Sequence, residues 1–358
     1  MKTILLALFV ALTIPSQIFP QWEWLNPRPH GNANNRIAFG GNANEYTIVG
    51  NAGIIMKTTN DGVDGSIQNS GTDINLKDIY ISGNEGIAVG NSGTILRTSD
   101  GGITWHLVNS GTTTHLTAVA FPTSNIGIIT GWNGLILHTT NGGTNWDSIA
   151  TPTTQRLYGV SFADADNGYA VGNAGVILKT TNGGVSWNSQ TSGTVQSLYD
   201  VSYVSPSTAV ATGGSGTIIR TTDGGSNWNS IGFFFNTRWG VSFASADHGV
   251  VVGDVNLISH TTDGGATWSS PSSFFLMVTN FHCVRFYNSS IGVAVGEWGA
   301  ILKTDGGGVN WRLITEGLLP RYQVSGGVNT FNLYSVQCIN SNRAVISGTY
   351  QFFYTNNG

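Results

Sequence analysis

The sequence predicts an all-β propeller of four-stranded blades, and composition, strand pattern and an internal repeat each support this fold. Of 358 residues, 49 are Gly, 11% are aromatic and only 9% are charged, whereas an average protein has about 7% Gly and about 25% charged residues. Short β-branched or alternating segments, bounded by Gly, Asn, Asp or Ser, recur along the chain and are typical of β-strands. A motif ending in Trp returns every 40 to 43 residues, and four strands in such a period are typical of one propeller blade.

The repeated motif reads TSDGGITW in its first full copy and TDGGGVNW in its last, degenerate copy. The shared pattern, T-x-[DN]-G-G-x-x-W, is the Asp-box. A turn of this kind requires positive backbone φ angles, which paired glycines adopt at little steric cost. We expect the Asp side chain to accept backbone N–H bonds within the turn and the Trp to cover the hairpin.

Two copies of the motif carry Asn in place of Asp, at Asn141 and Asn182. The turn therefore requires a short hydrogen-bond acceptor rather than a charge. This internal substitution predicts structural roles for the motif residues, rather than catalytic or metal-binding roles. They are Asp100, Trp105, Asn141, Trp146, Asn182, Trp187, Asp223, Trp228, Asp263, Trp268 and Trp311.

The number of blades follows from counting the four strand-like segments of each unit. The first three segments, such as LTAVAF, GIAVG and TILRT, each occur eight times, and the fourth begins at the motif Trp. The fourth also occurs eight times if residues 21–25 (QWEWL) are included, and the last unit otherwise lacks it. We therefore favour eight blades in a ring closed by the N-terminal strand, which protects the sheet edges. Seven blades are the alternative if one degenerate unit does not form.

Residues 1–20 are predicted to be a signal peptide, and residues 21–358 a single propeller domain. Lys2 precedes an apolar stretch at residues 4–14 that is too short to cross a bilayer. No later apolar run approaches 18 residues, so we expect an exported protein without a membrane span: secreted, periplasmic or lumenal. The net charge of −4 provides no basic footprint for nucleic acid.

The sequence predicts no metal site, no cofactor and no catalytic constellation. The two cysteines, Cys283 and Cys338, lack CxxC spacing, and the histidines fall in different units. Cys283 and Cys338 could pair in an oxidising compartment, or both could be buried free thiols.

Candidate binding residues are those that break the repeat on one face of the propeller. The turn between the second and third strands usually carries Asn followed by a small residue, but four units depart from this rule. At one position of the innermost strand, successive units carry aromatic rings, which could bind a peptide or a sugar at the mouth of the channel or pack between blades. The candidates from both positions are Trp132, Tyr158, Tyr199, Trp239, Asp254, His282, Glu297, Trp298 and Tyr350.

The repeated pattern G-x-A-V-G-x-x-G-x-I-L-K-T-T-[DN]-G-G-x-x-W resembles the photosystem II stability/assembly factor family over about residues 22–358. The resemblance implies an exported, lumenal Asp-box propeller that acts in photosynthesis by binding a membrane-protein subunit through an Arg-bearing face. The arginines of this chain are scattered through the repeats, so no residue is assigned to that face. The opening QWEWLNPRPHGN also resembles relatives secreted by non-photosynthetic bacteria.

Two function classes remain open at this stage. The first is a non-enzymatic propeller that binds or assembles another protein or protein complex. The second is a glycoside hydrolase or carbohydrate-binding propeller of the sialidase or xyloglucanase type, because those propellers also carry Asp-boxes. A hydrolase would require two carboxylates about 5–10 Å apart. Asp254 and Glu297, on neighbouring units, are a better pair than Asp78 and Asp200, which lie three units apart.

Overall fold

The fold was analysed in a computed structural model. The structure describes residues 23–24, 34–39, 46–59, 65–231, 236–255, 257–270, 280–286, 289–296, 301–313, 333–340, 343–348 and 351–355. Within these residues the regular structure is almost entirely β-strand, interrupted by three-residue 3-10 turns.

The strands of the first half of the chain follow the predicted segments closely. They are β1 (Glu23–Trp24), β2 (Asn34–Phe39), β3 (Tyr46–Gly50), β4 (Ile55–Thr58), β5 (Gly65–Gln68), β6 (Leu76–Ser82), β7 (Glu85–Gly90), β8 (Ile95–Thr98), β9 (His106–Val108), β10 (Leu116–Ala120), β11 (Gly127–Gly131), β12 (Ile136–Thr139), β13 (Asp147–Ile149), β14 (Leu157–Phe162), β15 (Asn167–Gly172), β16 (Ile177–Thr181) and β17 (Asn188–Gln190).

The second half repeats the same order. Its strands are β18 (Leu198–Ser205), β19 (Thr208–Gly213), β20 (Ile218–Thr221), β21 (Asn229–Ser230), β22 (Arg238–Phe243), β23 (Gly249–Gly253), β24 (Ile258–Thr261), β25 (Phe281–Phe286), β26 (Gly292–Gly296), β27 (Ile301–Thr304), β28 (Arg312–Leu313), β29 (Leu333–Asn340), β30 (Arg343–Gly348) and β31 (Gln351–Thr355).

Within the described residues, each predicted unit forms one antiparallel meander with strands paired in sequence order. The sheets are β2–β5, β6–β9, β10–β13, β14–β17, β18–β21, β22–β24, β25–β28, and β29–β31 with β1 added at the edge. Strand β1 pairs antiparallel with β31, Glu23 opposite Tyr354 and Trp24 opposite Phe353. The first strand of each sheet lies against the first strand of the next. The predicted all-β, propeller-like fold is confirmed.

The sixth unit differs from the expectation of four strands. Within the described residues, its chain after β24 makes a single bridge between His260 and Ser269, and the described part of this sheet has three strands. Pro271 follows two residues later in the sequence, and proline cannot donate a ladder hydrogen bond.

The hydrophobic core lies between neighbouring sheets rather than in one central cluster. For example, Ile128 and Ile136 of the third unit pack with Leu157, Leu178 and Trp187 of the fourth. Comparable layers join the first and second units and the second and third. The described core clusters join neighbouring units, so the stability of the fold is distributed over successive interfaces.

A cation on the third strand adds a polar link between neighbouring sheets. Arg97 Nε donates to the Gly142 carbonyl at 3.1 Å, and Arg220 Nε to the Gly264 carbonyl at 2.7 Å. Lys179 Nζ donates to the Gly224 carbonyl at 2.5 Å, and Lys57 makes the same contact with Gly101. In each case the acceptor belongs to the Asp-box of the following unit, so the same position locks one sheet to the next. No helix in the described residues is long and apolar enough to cross a membrane.

Candidate functional site

The Asp-box turns lie between the third and fourth strands, on the same face as the turns between the first and second. In the second unit, Asp100 Oδ1 accepts from Thr98 Oγ1 at 2.8 Å, from the Ile103 amide at 3.0 Å and from the Thr104 amide at 2.9 Å. Its other oxygen accepts from Thr104 Oγ1 at 2.6 Å. Both oxygens of the carboxylate therefore stabilise the turn.

The two Asn copies of the turn keep two of these bonds, both through the side-chain amide oxygen. Asn141 Oδ1 accepts from Thr139 Oγ1 at 2.9 Å and from the Asn145 amide at 3.0 Å. Asn182 Oδ1 accepts from Thr180 Oγ1 at 2.9 Å and from the Ser186 amide at 3.0 Å. One neutral oxygen is enough to make the turn.

In three Asp copies of the turn, the pKa of the carboxyl group lies well below its usual range. Desolvation of Asp100 opposes ionisation, but hydrogen bonds from Thr104, Thr98 and Ile103 outweigh it and lower the pKa to about 2. The backbone and side chain of Asn227 lower the pKa of Asp223 to about 2. Desolvation opposes the shift at Asp263 too, yet donors on Thr267 and Thr261 lower its pKa to about 2.

The second Gly of each Asp-box approaches the preceding sheet closely. Gly184 has φ +91°, and a Cβ built on it would lie 2.1 Å from Ile128 Cδ1. The carbonyl of the same residue accepts from Trp187 Nε1 at 3.1 Å. Equivalent indole bonds are made by Trp105, Trp146, Trp268 and Trp311, and Trp228 is likewise buried. These tryptophans are part of the scaffold.

The opposite face, which we call the 3-10 face, carries the turns between second and third strands together with the connections between sheets. Each described turn holds its middle residue at positive φ: Ala52, Ser92, Asn133, Ala174, Ser215 and Val255. Val255, at φ +58° and 52% exposed, is the β-branched member of this set. A β-branched residue in the left-handed region is strained.

The predicted inner-strand position coincides with a β-bulge in the first strand of every unit. The pairing register shifts between Leu157 and Gly159, between Leu198 and Asp200, and at the equivalent places of the other first strands. The extra residues are Asn35, Lys77, Thr117, Tyr158, Tyr199, Trp239, His282 and Tyr334. A bulge re-aims the side chain of its extra residue, so this position is presented differently from the rest of the strand.

The side chains at four of these bulges form a continuous series of ring contacts across four units. Tyr158 meets Tyr199 edge-on with centroids 5.3 Å apart. Tyr199 stacks on Trp239 at 4.6 Å and 29°, and Trp239 lies 6.2 Å from His282. These separations fall in the favourable range for aromatic pairs. We call Trp132, Tyr158, Tyr199, Trp239 and His282 the aromatic arc.

Two residues that sequence reasoning did not select complete the arc at its other end. The Arg156 guanidinium lies 4.8 Å from the Trp132 ring centroid and 4.4 Å from that of Tyr158. His115 meets Trp132 edge-on at 4.5 Å. Both residues occupy the position just before the first strand of their unit, where the other units carry Asn, Ser, Thr or Ala. That departure from the repeat was the signal available in the sequence.

Asp254 joins the arc through a hydrogen bond to the indole of Trp239. The distance from Trp239 Nε1 to Asp254 Oδ1 is 2.6 Å, and the Asp254 amide donates to the Thr237 carbonyl at 3.0 Å. The structure therefore brings together Trp132, Tyr158, Tyr199, Trp239, His282 and Asp254, all half-buried or exposed. Glu297, Trp298 and Tyr350 lie outside the described residues, as do residues 1–20 that were predicted to be a signal peptide.

The inner-strand carboxylates Asp78 and Asp200 connect neighbouring sheets. Asp78 Oδ2 accepts from the Val119 amide at 2.9 Å, and Asp200 Oδ2 accepts from the Val241 amide at 3.1 Å. Their Oδ1 atoms accept the next amide of their own strand. These bonds account for both carboxylates as structural groups.

One bulge position outside the arc carries a cation. Lys77 lies at the bulge of the second unit, and burial, together with repulsion from Arg156, lowers the pKa of its amine. The described residues hold no cluster of three or more His, Cys, Asp or Glu side chains.

Comparison with solved structures shows the same fold in several proteins. "YCF48 bound to D1 peptide" is 16% identical, with a TM-score of 0.61, 98% of this chain and 99% of that one being covered. "YCF48 from Cyanidioschyzon merolae" is 18% identical, with a TM-score of 0.61 over 94% of this chain and 98% of that one. The computationally designed Ika8 protein is 14% identical, with a TM-score of 0.73 over 94% and 98%. No curated protein matched the sequence.

A sequence profile of the family described as "Photosynthesis system II assembly factor YCF48" matches this chain three times, at residues 63–153, 144–233 and 234–322. The matched segments run through the Asp-box units and include every described residue of the aromatic arc. Because they cover well over half of the sequence, the chain belongs to the YCF48 photosystem II assembly factor family.

Proposed function

We propose that this protein is an exported, non-enzymatic propeller that binds a segment of another protein on its 3-10 face, as an assembly factor does. The observation that carries the proposal is the unbroken series of ring and cation–π contacts from His115 to His282, in which Arg156 joins Trp132 to Tyr158. Family membership supports it, and so does the solved relative that is bound to a D1 peptide. Nothing in the proposal requires a photosystem subunit as the partner.

The composition of the aromatic arc suits a protein-binding surface. Trp, Tyr and Arg are the residue types enriched where proteins bind each other most tightly. Trp132 is 40% exposed, and the four bulge residues are half-buried. Rings that already touch one another lose little conformational freedom when a ligand covers them, so binding costs less ordering of the site.

The ring that carries this surface is proposed to have eight blades and to be closed by the N-terminal strand. Pairing of β1 with β31 supports this arrangement, as does the position of β2 against β29 and β30. Closure would hold the bulges of all units around one channel.

The alternative, a carbohydrate-active propeller, has less support. Asp254 Oδ1 accepts the Trp239 indole N–H, and Asp78 and Asp200 accept hydrogen bonds from backbone amides. Among the described residues of the arc, Asp254 is the sole carboxylate. A two-carboxylate hydrolase requires a second one in the same cleft.

The proposal can be tested by selecting ligands for the mature chain from a displayed library of random 12-residue peptides, with a glycan array in parallel. We expect enriched peptides whose affinity for the protein falls at least about tenfold in Trp239→Ala. The same loss is expected in Trp132→Ala, which replaces the more exposed of the two tryptophans. Leu107→Ala is the matched control. Leu107 is 73% exposed and lies on β9, the fourth strand of a unit that carries no residue of the arc. Circular dichroism would confirm that each variant is folded.

Failure to enrich any peptide, or equal binding by the three variants, would contradict the proposal. Binding to a glycan, with loss in Trp239→Ala, would favour the carbohydrate-binding alternative. Cleavage of a glycoside substrate would show that the protein is an enzyme.

A further inference from the structure

One half of the aromatic arc already binds a cation that the chain itself supplies. Arg156 lies over Tyr158 at 4.4 Å and over Trp132 at 4.8 Å, within the distance at which a ring quadrupole attracts a cation. The guanidinium therefore occupies the space between two rings of neighbouring units. It shows which kind of group the geometry of this face accommodates.

The other half of the arc has the same kind of rings, but the charged group beside them is a carboxylate rather than a guanidinium. Tyr199 and Trp239 stack at 4.6 Å, and the plane of Trp239 is inclined by 58° to that of His282, so that the two rings form a wedge. The Arg156 guanidinium lies over the rings of Trp132 and Tyr158, in the first half of the arc. The rings of Tyr199 and Trp239 are half-buried and so remain open to solvent on part of their surface.

Asp254 is held at the edge of this ring pair in a fixed orientation. Its Oδ1 accepts the Trp239 indole N–H at 2.6 Å, which fixes the carboxylate beside that ring. Burial is the main cause that raises the pKa of Tyr199, and the charges of Tyr158 and then of Asp254 raise it further. Asp254 therefore adds a negative charge at this end of the arc.

The turn that carries Asp254 is more strained than its described counterparts. Val255 holds φ +58° with a β-branched side chain, and its amide donates to Asn280 Oδ1 at 2.9 Å. The equivalent residues are Ala, Ser or Asn. Strained backbone persists where surrounding contacts impose it and is concentrated at ligand-binding sites.

We propose that Tyr199, Trp239 and Asp254 form a subsite for a cationic side chain, Lys or Arg, of the peptide that the 3-10 face binds. The proposal rests on the proposed function, since it names one residue type of that ligand. A cation seated against the indole face would complete an ion pair with Asp254 Oδ2 and reproduce, across the arc, the contact that Arg156 makes internally.

The test uses capped peptides Ac-Gly-Ala-X-Ala-Gly-NH2, in which X is Arg, Lys, citrulline or norleucine. Citrulline keeps the shape of Arg without its charge. Binding is followed by NMR through the indole N–H signal of Trp239, which Trp239→Phe assigns. We expect the Arg and Lys peptides to shift this signal and to bind at least about tenfold more tightly than the citrulline and norleucine peptides. Raising the salt concentration should weaken the preference.

Asp254→Asn isolates the charge, because its amide oxygen can still accept the indole N–H. We expect this variant to lose most of the preference for Arg over citrulline. Asp247→Asn is the matched control: Asp247 is an exposed carboxylate in the same unit, at the turn between β22 and β23 on the opposite face. That variant should keep the preference of the original chain.

The outcomes separate this subsite from the proposed function. Equal binding of the Arg and citrulline peptides, or an Arg preference that survives in Asp254→Asn, overturns the cation subsite. If library peptides still bind through Trp132 and Trp239, the proposed function stands. If neither library nor capped peptides bind, both proposals fail. Choline chloride, titrated in the same way, overturns the assignment to a peptide side chain if it binds more tightly than the Arg and Lys peptides.

Discussion

The Asp-box face and the 3-10 face of each unit are built by the same repeat, but they vary in different ways. On the Asp-box face, Asp and Asn exchange while the hydrogen bonds remain, as at Asp100 and Asn141. On the 3-10 face, the turn backbone remains while the chemistry changes, from Asn91 to Trp132 to Asp254. Positions at which the hydrogen bonds repeat therefore belong to the scaffold, whereas positions at which the side chain changes on a constant backbone are candidates for a binding site.

The greatest difference in stability is expected between variants of a buried and an exposed tryptophan in two neighbouring units. Trp187 is 4% exposed, packs on Phe162 and donates to the Gly184 carbonyl, whereas Trp132 is 40% exposed. Trp187→Ala should lower the free energy of unfolding by about 3–5 kcal/mol, because it opens a cavity between two sheets. Trp132→Ala should cost under about 1 kcal/mol, since it opens no cavity. Urea unfolding followed by circular dichroism measures both.

If Trp132→Ala destabilised the protein as much as Trp187→Ala, the separation of scaffold from site on the two faces would be wrong.

A smaller effect is expected from relieving the strain at Val255. Val255→Asn should raise the free energy of unfolding by about 1 kcal/mol, because Asn tolerates the left-handed conformation that a β-branched residue resists. The reciprocal change, Asn133→Val, places the strained residue type at φ +56° in the third unit and should lower stability by a similar amount. Thermal unfolding of the two variants tests the pair. A loss of stability in Val255→Asn would mean that the Val side chain stabilises the turn by packing.

The smallest effect concerns the charge of the Asp-boxes in acid. The pKa values of Asp100, Asp223 and Asp263 are lowered to about 2 in the fold, against about 3.9 for an unfolded Asp. Their ionised forms therefore contribute stability that is complete above about pH 4 and is lost as the pH falls towards 2. The contribution is modest, because solvent screens these exposed groups.

Replacing all three residues with Asn should flatten the loss of stability between about pH 4 and pH 2, leaving a fold that resembles the natural Asn141 and Asn182 turns. Urea midpoints measured across this range give the comparison. An unchanged acid limb would show that other carboxylates cause the acid sensitivity.

Much of the fold was predictable from the sequence, because local chemistry repeats. The Gly pair and the Asp or Asn acceptor define each turn, and the alternating segments between turns became the strands of the corresponding sheets. The described part of the sixth unit was the exception, since only the bridge between His260 and Ser269 follows its third strand there.

The candidate site was only partly predictable. Alignment of the units selected Tyr158, Tyr199 and Trp239 but missed Arg156 and His115, which lie two residues before the bulge position of their units. Their importance depends on contacts with Trp132 across a turn and a sheet boundary. Single positions in an alignment carry no information on such contacts.

The repeat, the turns and the all-β character follow from the sequence alone, because each depends on residues within a few positions of one another. Which side chains contact each other depends on the tertiary structure. Tyr158 and Tyr199, and then Tyr199 and Trp239, are about forty residues apart and touch only because successive sheets pack side by side with a bulge at the same place. The packing of the sheets thus converts a one-residue irregularity in each unit into one continuous surface.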